Sequence, residues 1–470
     1  MKMRRRNFRI LITSITAYGH INCVVGFGEM LHKRGHTVIF AQREDMRHIA
    51  QKRGFQFIPF DEDIFEGSDP QPFHTIIEET AHLFHKDPIE ALRSATDEDK
   101  EREAKFLDDL IRVDEAIGRI LARNGNIDMV ISDLIHESPS LVKSGILHVP
   151  LISTNPLLLY HANGIPVSAG FATNQKGSAL VEEYKMLVDS VHSLFNDRLR
   201  NWYISSGTPQ LVERKPFGSI EPTHFGFYHY PQDLDYHEFE PREAKWNRVD
   251  ACVREPDSSR FEIPEKLKNL PGKLIYFSMG SLASIDLGIM RQLLAILSGS
   301  PHRFIVSTGA RGHELSMYDN MWGDKYLDQI AVLQTVDLVI THGGNNTLVE
   351  TLYYGKPMIV IPYFVDQLDN AQRVFEKGLG RRINIWNLDE EKLLGAIEHV
   401  LGDNEIRERV ERISDNLKKS KNREKAVEMI ECLIEENIPR IQNDQTDILK
   451  GKVMIDESKL FETKREELLV

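Results

Sequence analysis

Between Thr341 and Glu350 the chain reads Thr-His-Gly-Gly-Asn-Asn-Thr-Leu-Val-Glu. These residue types, in this order, can hold a nucleotide. Gly343 and Gly344 let backbone come close to a ligand. Asn345, Asn346 or Thr347 can cap a helix that Gly355 and Pro357 end. The start of such a helix presents unpaired N–H groups to an anion. His342 sits beside that start and can donate to a phosphate oxygen. Glu350 lies one turn further on and can accept from two vicinal hydroxyls, as a ribose offers them. Thr347-Leu-Val-Glu350 also has the T-x-x-E spacing of a capping box, which competes for the same helix end.

The elements that must position this stretch recur along the chain. Phe8–Ser14 reads as a buried strand, Tyr18-Gly-His20 as a turn, Ile21–Arg34 as a helix ended by Gly35, and His36–Phe40 as a second strand. That is a βαβ unit, and it implies a parallel sheet. Further strands are expected at 55–59, 128–132 and 149–153. A second series has strands at 273–277, 303–306, 337–340 and 358–361, with Met290, Leu293, Leu294 and Leu297 on one helix face. The fold class is therefore α/β with two doubly wound, Rossmann-like domains. The expected division is 1–240, a linker at 241–262, a second domain at 263–435, and a tail or crossing helix at 436–470. Long insertions in the first domain carry Phe84, Tyr160, Phe171 and Phe195, which are candidates to wall an apolar pocket. Each could equally be helix core.

With His342, Gly344, Asn346, Glu350, Gly355, Pro357, Pro362, Asp366, Gln367, Asn370 and Ala371 in register, the segment resembles the donor-binding signature of the family 1 UDP-dependent glycosyltransferases. The resemblance extends further, to Gly19-His20 before the first helix, to Asp133 closing Met129-Val-Ile-Ser-Asp, and to Phe277-Ser-Met-Gly-Ser281. It implies the GT-B fold, with the acceptor on the first domain and the donor on the second. It implies His20 as general base, oriented by Asp133, and a single inverting displacement. His342 and Ser281 would face the phosphates, together with the helix start built from Gly344, Asn346 and Thr347. Glu350 would hold the ribose, and Asp366 and Gln367 the sugar. Tyr326-Leu-Asp-Gln329 stands where the family shows Trp-x-Pro-Gln, so Tyr326 and Gln329 are the candidates for the uracil side. Cys23 replaces a usual proline, and Asn345 occupies the plant tryptophan position. By analogy the donor is UDP-glucose and the acceptor a small lipophilic molecule with a hydroxyl. A UDP-sugar epimerase and a non-catalytic UDP-sugar sensor remain as alternatives.

The rest of the sequence excludes other classes. Its 470 residues carry a net charge of −13, against the basic footprint of a general nucleic-acid binder. No apolar run approaches the roughly 18 residues of a membrane helix, and the polar residues after Ile12 argue against a leader peptide. Cys23, Cys252 and Cys432 are odd in number and far apart, against a disulfide framework or a cysteine-rich zinc site, and a cytoplasmic setting is expected. Gly26-Phe-Gly28 lies within the expected first helix and lacks the third glycine of a dinucleotide fingerprint, so it reads as close packing, and no cofactor is expected. Asp61-Glu-Asp63 spells the D-x-D of metal-dependent transferases, but in the wrong domain for a donor. It reads as a solvated loop, with no metal expected.

Overall fold

The computed structural model describes residues 6–449 apart from 70, 161–163, 213–219, 240, 241, 243 and 259, with backbone alone for 439–449. Alternating strands and helices build two parallel sheets. The first contains β1 (Arg9–Ser14), β2 (Thr37–Gln42), β3 (Gln56–Pro59), β4 (Met129–Asp133), β5 (His148–Ile152), β6 (Gly226–Tyr228) and β7 (Trp246–Arg248), in the order β3-β2-β1-β4-β5-β6-β7. The second contains β8 (Leu274–Ser278), β9 (Arg303–Ser307), β10 (Met321–Asp324), β11 (Leu338–Thr341), β12 (Met358–Val360) and β13 (Gly380–Arg382), in the order β10-β9-β8-β11-β12-β13. β4, β8 and β11 are buried at every position, as continuous apolar runs covered on both faces must be.

Each sheet turns back beside its first strand. β1 lies between β2 and β4, and β8 between β9 and β11. In open sheets the crevice beyond the carboxyl ends at such a reversal receives ligands. Ser14 pairs with Asp133 at one reversal, and Ser278 pairs with Thr341 at the other. The segments that follow carry His20, Ser281 and His342.

The opening helix spans Tyr18–Arg34, three residues longer at its start than its sequence suggests. Ala17 is its extended N-cap and makes no side-chain cap. His20 therefore stands in the first helical turn and not in a turn before it. Gly35 closes the helix in the left-handed region, φ 102°, as expected. Gly26 is required by contact: a Cβ there would lie 1.9 Å from the carbonyl oxygen of Cys252, and one on Gly28 2.7 Å from Ile12. The Gly-x-Gly is packing, as read from the sequence.

The insertions of the first domain are helical, at Pro72–Phe84, Pro88–Ser94, Asp97–Arg123, Ala179–Val191 and Ser193–Ser205. The last helix, Asn422–Leu449, returns to the first domain. Its Ala426, Val427, Ile430, Leu433 and Ile434 share a core with Ile21, Val24 and Leu31 of the opening helix. Arg34 pairs with Glu431 at 3.0 Å beside that core. The crossing thus begins at 422, inside the stretch expected to belong to the second domain, and 450–470 lie outside the described residues. Between the two sheets, Arg373 is buried, 1% exposed, and donates to the carbonyls of Leu234 at 2.6 Å and Asp235 at 2.5 Å and to Glu238 at 2.9 Å.

Candidate active site

At the first reversal, His20 Nδ1 lies 3.0 Å from Asp133 Oδ1, with side chains 14% and 3% exposed. The Ser153 hydroxyl, just beyond β5, is 3.2 Å from the same nitrogen. A carboxylate against Nδ1 holds the proton there and leaves Nε2 as the basic nitrogen. Burial works against the imidazolium, but Asp133, joined by Asp366, outweighs it, so the ring titrates above 6.5.

The second domain brings its groups to the same crevice. The helix after β11 spans Asn345–Tyr353 with Gly344 as N-cap and no side-chain cap. The capping box read at Thr347–Glu350 is not formed, because the helix begins two residues before Thr347. Both oxygens of Glu350, 2% exposed, have protein partners: Arg254 at 3.2 Å and Gln329 at 2.5 Å. Gln329 also donates to Thr347 at 3.4 Å and accepts from the Tyr276 hydroxyl at 3.1 Å. Each carboxylate oxygen keeps a further lone pair for a ligand hydroxyl.

His342 is wedged between two glycines. A Cβ on Gly280 would lie 2.5 Å from its ring, and one on Gly344 2.4 Å. Burial lowers its pKa to about 4, so it is neutral near pH 7 and can donate one N–H. Ser281 lies in the short helix Gly280–Ala283, whose N-cap is Met279. Asp366 opens the helix Asp366–Glu376, preceded by Val365 at φ 44°, a strained backbone for a β-branched residue. Burial raises the Asp366 carboxyl to about 6, partly offset by the Asn155 amide, which donates to it at 2.9 Å, and by His20. Gln367 accepts from the amides of Tyr363 and Phe364 at 3.0 and 3.2 Å, which commits its Oε1 to its own loop. Tyr326 is 64% exposed, with its ring 6.4 Å from that of Tyr18 in the first domain.

Residues 259–434 match the family model described as UDP-glucoronosyl and UDP-glucosyl transferase. The NDP-glycosyltransferase YjiC of Bacillus subtilis is 22% identical over 92% of this chain and 99% of its own length. The demethyllactenocin mycarosyltransferase of Streptomyces fradiae is 24% identical over 89% of this chain and 85% of its own. The solved glycotransferase of kitacinnamycin superposes with a TM-score of 0.64 at 20% identity, covering 91% of this chain and 99% of that one. The calicheamicin glycosyltransferase CalG4 gives 0.59 at 16%, covering 91% and 98%.

The chain carries the C-terminal domain of the family 1 glycosyltransferases.

Its fold is GT-B, and its reaction moves a sugar from a nucleotide sugar to an acceptor. Among the described residues of the transferase no helix is long and apolar enough to cross a membrane.

Several contacts across the crevice carried no recognisable signal. Asn345, at the plant tryptophan position, donates across the domains to the carbonyls of Ser153 at 2.8 Å and His229 at 3.0 Å. Asn346 donates to the Gly19 carbonyl, one residue before His20. Asn155 reaches Asn370 at 2.7 Å. Arg254 comes from the linker. In each case the partner is remote in sequence, and only the fold identifies it.

Three of the four pocket candidates lie in packed cores. Phe195, 2% exposed, packs among Leu107, Leu110 and Trp202, because its helix turns its apolar face inward. Tyr160 is buried as well, with its hydroxyl donating to Asp235 at 2.8 Å. Phe171 is buried edge-on against Tyr184. Phe84 does reach the crevice. It ends the helix Pro72–Phe84 and lies 5.1 and 5.4 Å from the rings of Tyr363 and Phe364 in the second domain. Next to it, His85 meets Asp286 at 2.5 Å, and Asp286 also accepts from Tyr363 at 2.8 Å.

Asp61 and Asp63 are paired with Arg119 and Arg123 on the outer helix of the first domain. Cys23 and Cys252 are far apart in sequence but meet in space, and both remain free thiols. Cys23, Cys252 and His229 converge in the buried interior.

Proposed function

We propose that this transferase moves glucose from UDP-glucose to a hydroxyl of a small lipophilic acceptor, with inversion at the anomeric carbon. The observation that carries the reading is the His20–Asp133 pair, at 3.0 Å at the reversal of the first sheet, close enough to Asp366 of the second domain for the two to shift each other's titration. In the proposed step, His20 Nε2 takes the acceptor's hydroxyl proton as that oxygen attacks the anomeric carbon. The bond from that carbon to the β-phosphate oxygen breaks from the opposite side, and UDP leaves. Asp133 stabilises the imidazolium that forms. The leaving charge would meet N–H donors at the start of the helix Asn345–Tyr353, with His342 and Ser281 beside them. Glu350 would accept from the ribose hydroxyls, and Asp366 with the Nε2 of Gln367 would hold the sugar. Tyr326, facing Tyr18, would take the uracil, with Gln329 behind it. No metal or cofactor is assigned a part in this step.

A neutral hexose is favoured over a glucuronate by the charges of the crevice. Asp133, Glu350 and Asp366 are carboxylates around it. Arg254 is paired with Glu350, Arg373 with Glu238, and Arg382 donates to Gly170 and Gln372. Two Bacillus subtilis relatives are named UDP-glucosyltransferases. Phe84 with Tyr363 and Phe364 supports an apolar acceptor. A cytoplasmic setting accompanies the reading, supported by three unbridged cysteines.

The test is incubation with UDP-glucose, TDP-glucose, UDP-galactose, UDP-N-acetylglucosamine or UDP-glucuronate and a panel of phenols, read by mass spectrometry. A hexose adduct from UDP-glucose is expected. Adducts from UDP-glucuronate alone would sink the donor assignment, and sugar conversion without an acceptor would make the protein an epimerase.

Gly344→Ala separates the donor site from general folding. Its φ of −56° suits alanine, so the backbone tolerates the change, but the new methyl would displace His342. UDP affinity by calorimetry should fall roughly 10-fold, the scale of one hydrogen bond to a charged group, with thermal stability nearly unchanged. Unaltered UDP binding would remove His342 from the phosphate site.

A further inference from the structure

Cys23, His229 and Cys252 come from three separate parts of the chain: the opening helix, the residue after β6 and the segment joining the domains. One donor atom of each lies within 4.8 Å of those of the other two, and all three residues are buried. Both cysteines are free thiols. His229 accepts from the Cys252 amide at 3.2 Å through Nδ1, while its Nε2, fully enclosed, has no hydrogen-bond partner. A buried polar atom left in this state is uncommon in folded proteins and calls for an explanation. The contact is also tightly imposed. Gly26, three residues after Cys23, presses on the Cys252 carbonyl so closely that no other residue fits.

We propose that Cys23, His229 and Cys252 bind a thiophilic d10 cation, Zn2+ or Cu+, which pins the interdomain segment to the opening helix. Two thiolates and an imidazole are a soft donor set that selects these ions over Mg2+ or Ca2+. With metal–sulfur bonds of about 2.3 Å and metal–nitrogen bonds of about 2.0 Å, donors around one ion stand roughly 3.5–3.8 Å apart. Small side-chain adjustments within 4.8 Å reach that spacing. Cu+ is satisfied by three donors, and Zn2+ completes four with a water. Loading gives Nε2 a metal partner, moves the ring proton to Nδ1 at the cost of the weak amide hydrogen bond, and releases the thiol protons.

The position gives the ion a consequence. Cys23 follows His20 by three residues on one helix, and Arg254, two residues after Cys252, holds Glu350. An ion here joins the helix of the proposed base to the segment that steadies the proposed ribose carboxylate. The ion takes no part in bond breaking.

The experiment uses the full chain, purified under reductant. It is titrated with Zn2+ against a chromophoric chelator, with Cu+ under anaerobic conditions against a Cu+ chelator, and with Co2+ as a spectroscopic probe. One equivalent of Zn2+ or Cu+ is expected, and Co2+ should show thiolate-to-metal charge-transfer absorption. Affinity should fall about 100-fold or more in Cys23→Ser and His229→Ala and stay unchanged in Cys432→Ser. Absence of stoichiometric binding, loss in Cys432→Ser alone, or an intact mass showing a Cys23–Cys252 disulfide would overturn the proposal. If the Cys23 or His229 variants fail to fold by circular dichroism, the Co2+ spectrum of the unmutated chain decides, since thiolate charge transfer appears only if sulfur binds. None of these readouts measures sugar transfer, so this site and the proposed reaction fail independently.

Discussion

His20→Ala lowers kcat about 10³-fold and leaves UDP affinity within about twofold of the parent, because a positioned general base contributes roughly 10²–10⁴ in rate. The loss corresponds to about 4 kcal/mol of transition-state stabilisation. It should appear in kcat and not in donor binding, since the proposed phosphate and ribose contacts come from the second domain. The pH profile supplies an independent check. His20 is shifted above 6.5, burial opposing the charge and Asp133 outweighing it. The base form therefore disappears as pH falls, and kcat/KM should decline on the acid side with a midpoint above 6.5. Asp133→Asn removes the main cause that raises it while burial stays, so the acid limb should move to lower pH as kcat drops. For stability the sign is opposite. The His20–Asp133 pair is fully present below 6.5 and is lost as pH rises through the raised value. Loss of UDP binding in His20→Ala equal to that in Glu350→Ala would contradict the assignment of His20 to acceptor chemistry.

The largest effect on stability is expected from Arg373→Met. The guanidinium donates to two backbone carbonyls and Glu238, reaches Glu376 at 3.3 Å, and lies 4.5 Å from the centre of the Tyr236 ring. Methionine fills some of the volume but satisfies none of these acceptors. Leaving the two buried carbonyls without a donor costs about 1–3 kcal/mol each, while Glu238, 41% exposed, is resolvated and adds little. Urea unfolding followed by circular dichroism should show a loss of that size, and a loss under about 1 kcal/mol would mean that the strap between the domains is redundant. Arg373→Lys should recover only part of it, since a single ammonium cannot match the planar fork. Burial pushes the Glu238 carboxyl up, but Arg373 and Lys377 outweigh it and hold it at about 2. The strap should therefore keep its charge through the physiological range and weaken only as pH falls toward that value.

Much of the site could be read from local pattern. Gly35 ends the opening helix because a left-handed residue is needed there, and that need is visible in Arg34-Gly35-His36. His342, Gly344 and Glu350 could be placed at a helix start because strand, glycine turn and helix follow one another within ten residues. Where two local readings competed, the fold chose between them. Thr347-Leu-Val-Glu350 has capping-box spacing, but the helix starts at Asn345, and Glu350 turns to Arg254 and Gln329. Phe195 and Phe84 both lie on insertion helices. Packing turns one into the core and sets the other against Tyr363.

What the sequence determined by itself is whatever short-range physics controls. Strand and helix order follow from hydrophobic period, helix ends from glycine, and the candidate donor groups from their spacing along one strand–turn–helix unit. What only the tertiary structure decided is which remote residues become neighbours. It set Asp133 against His20 across 112 intervening positions, Arg254 against Glu350, Asn345 against Ser153, and Cys23 and Cys252 around His229. Such pairings depend on sheet order and on the path of the segment between domains. They are selected by burial summed over the whole core, and no local stretch of residues encodes them.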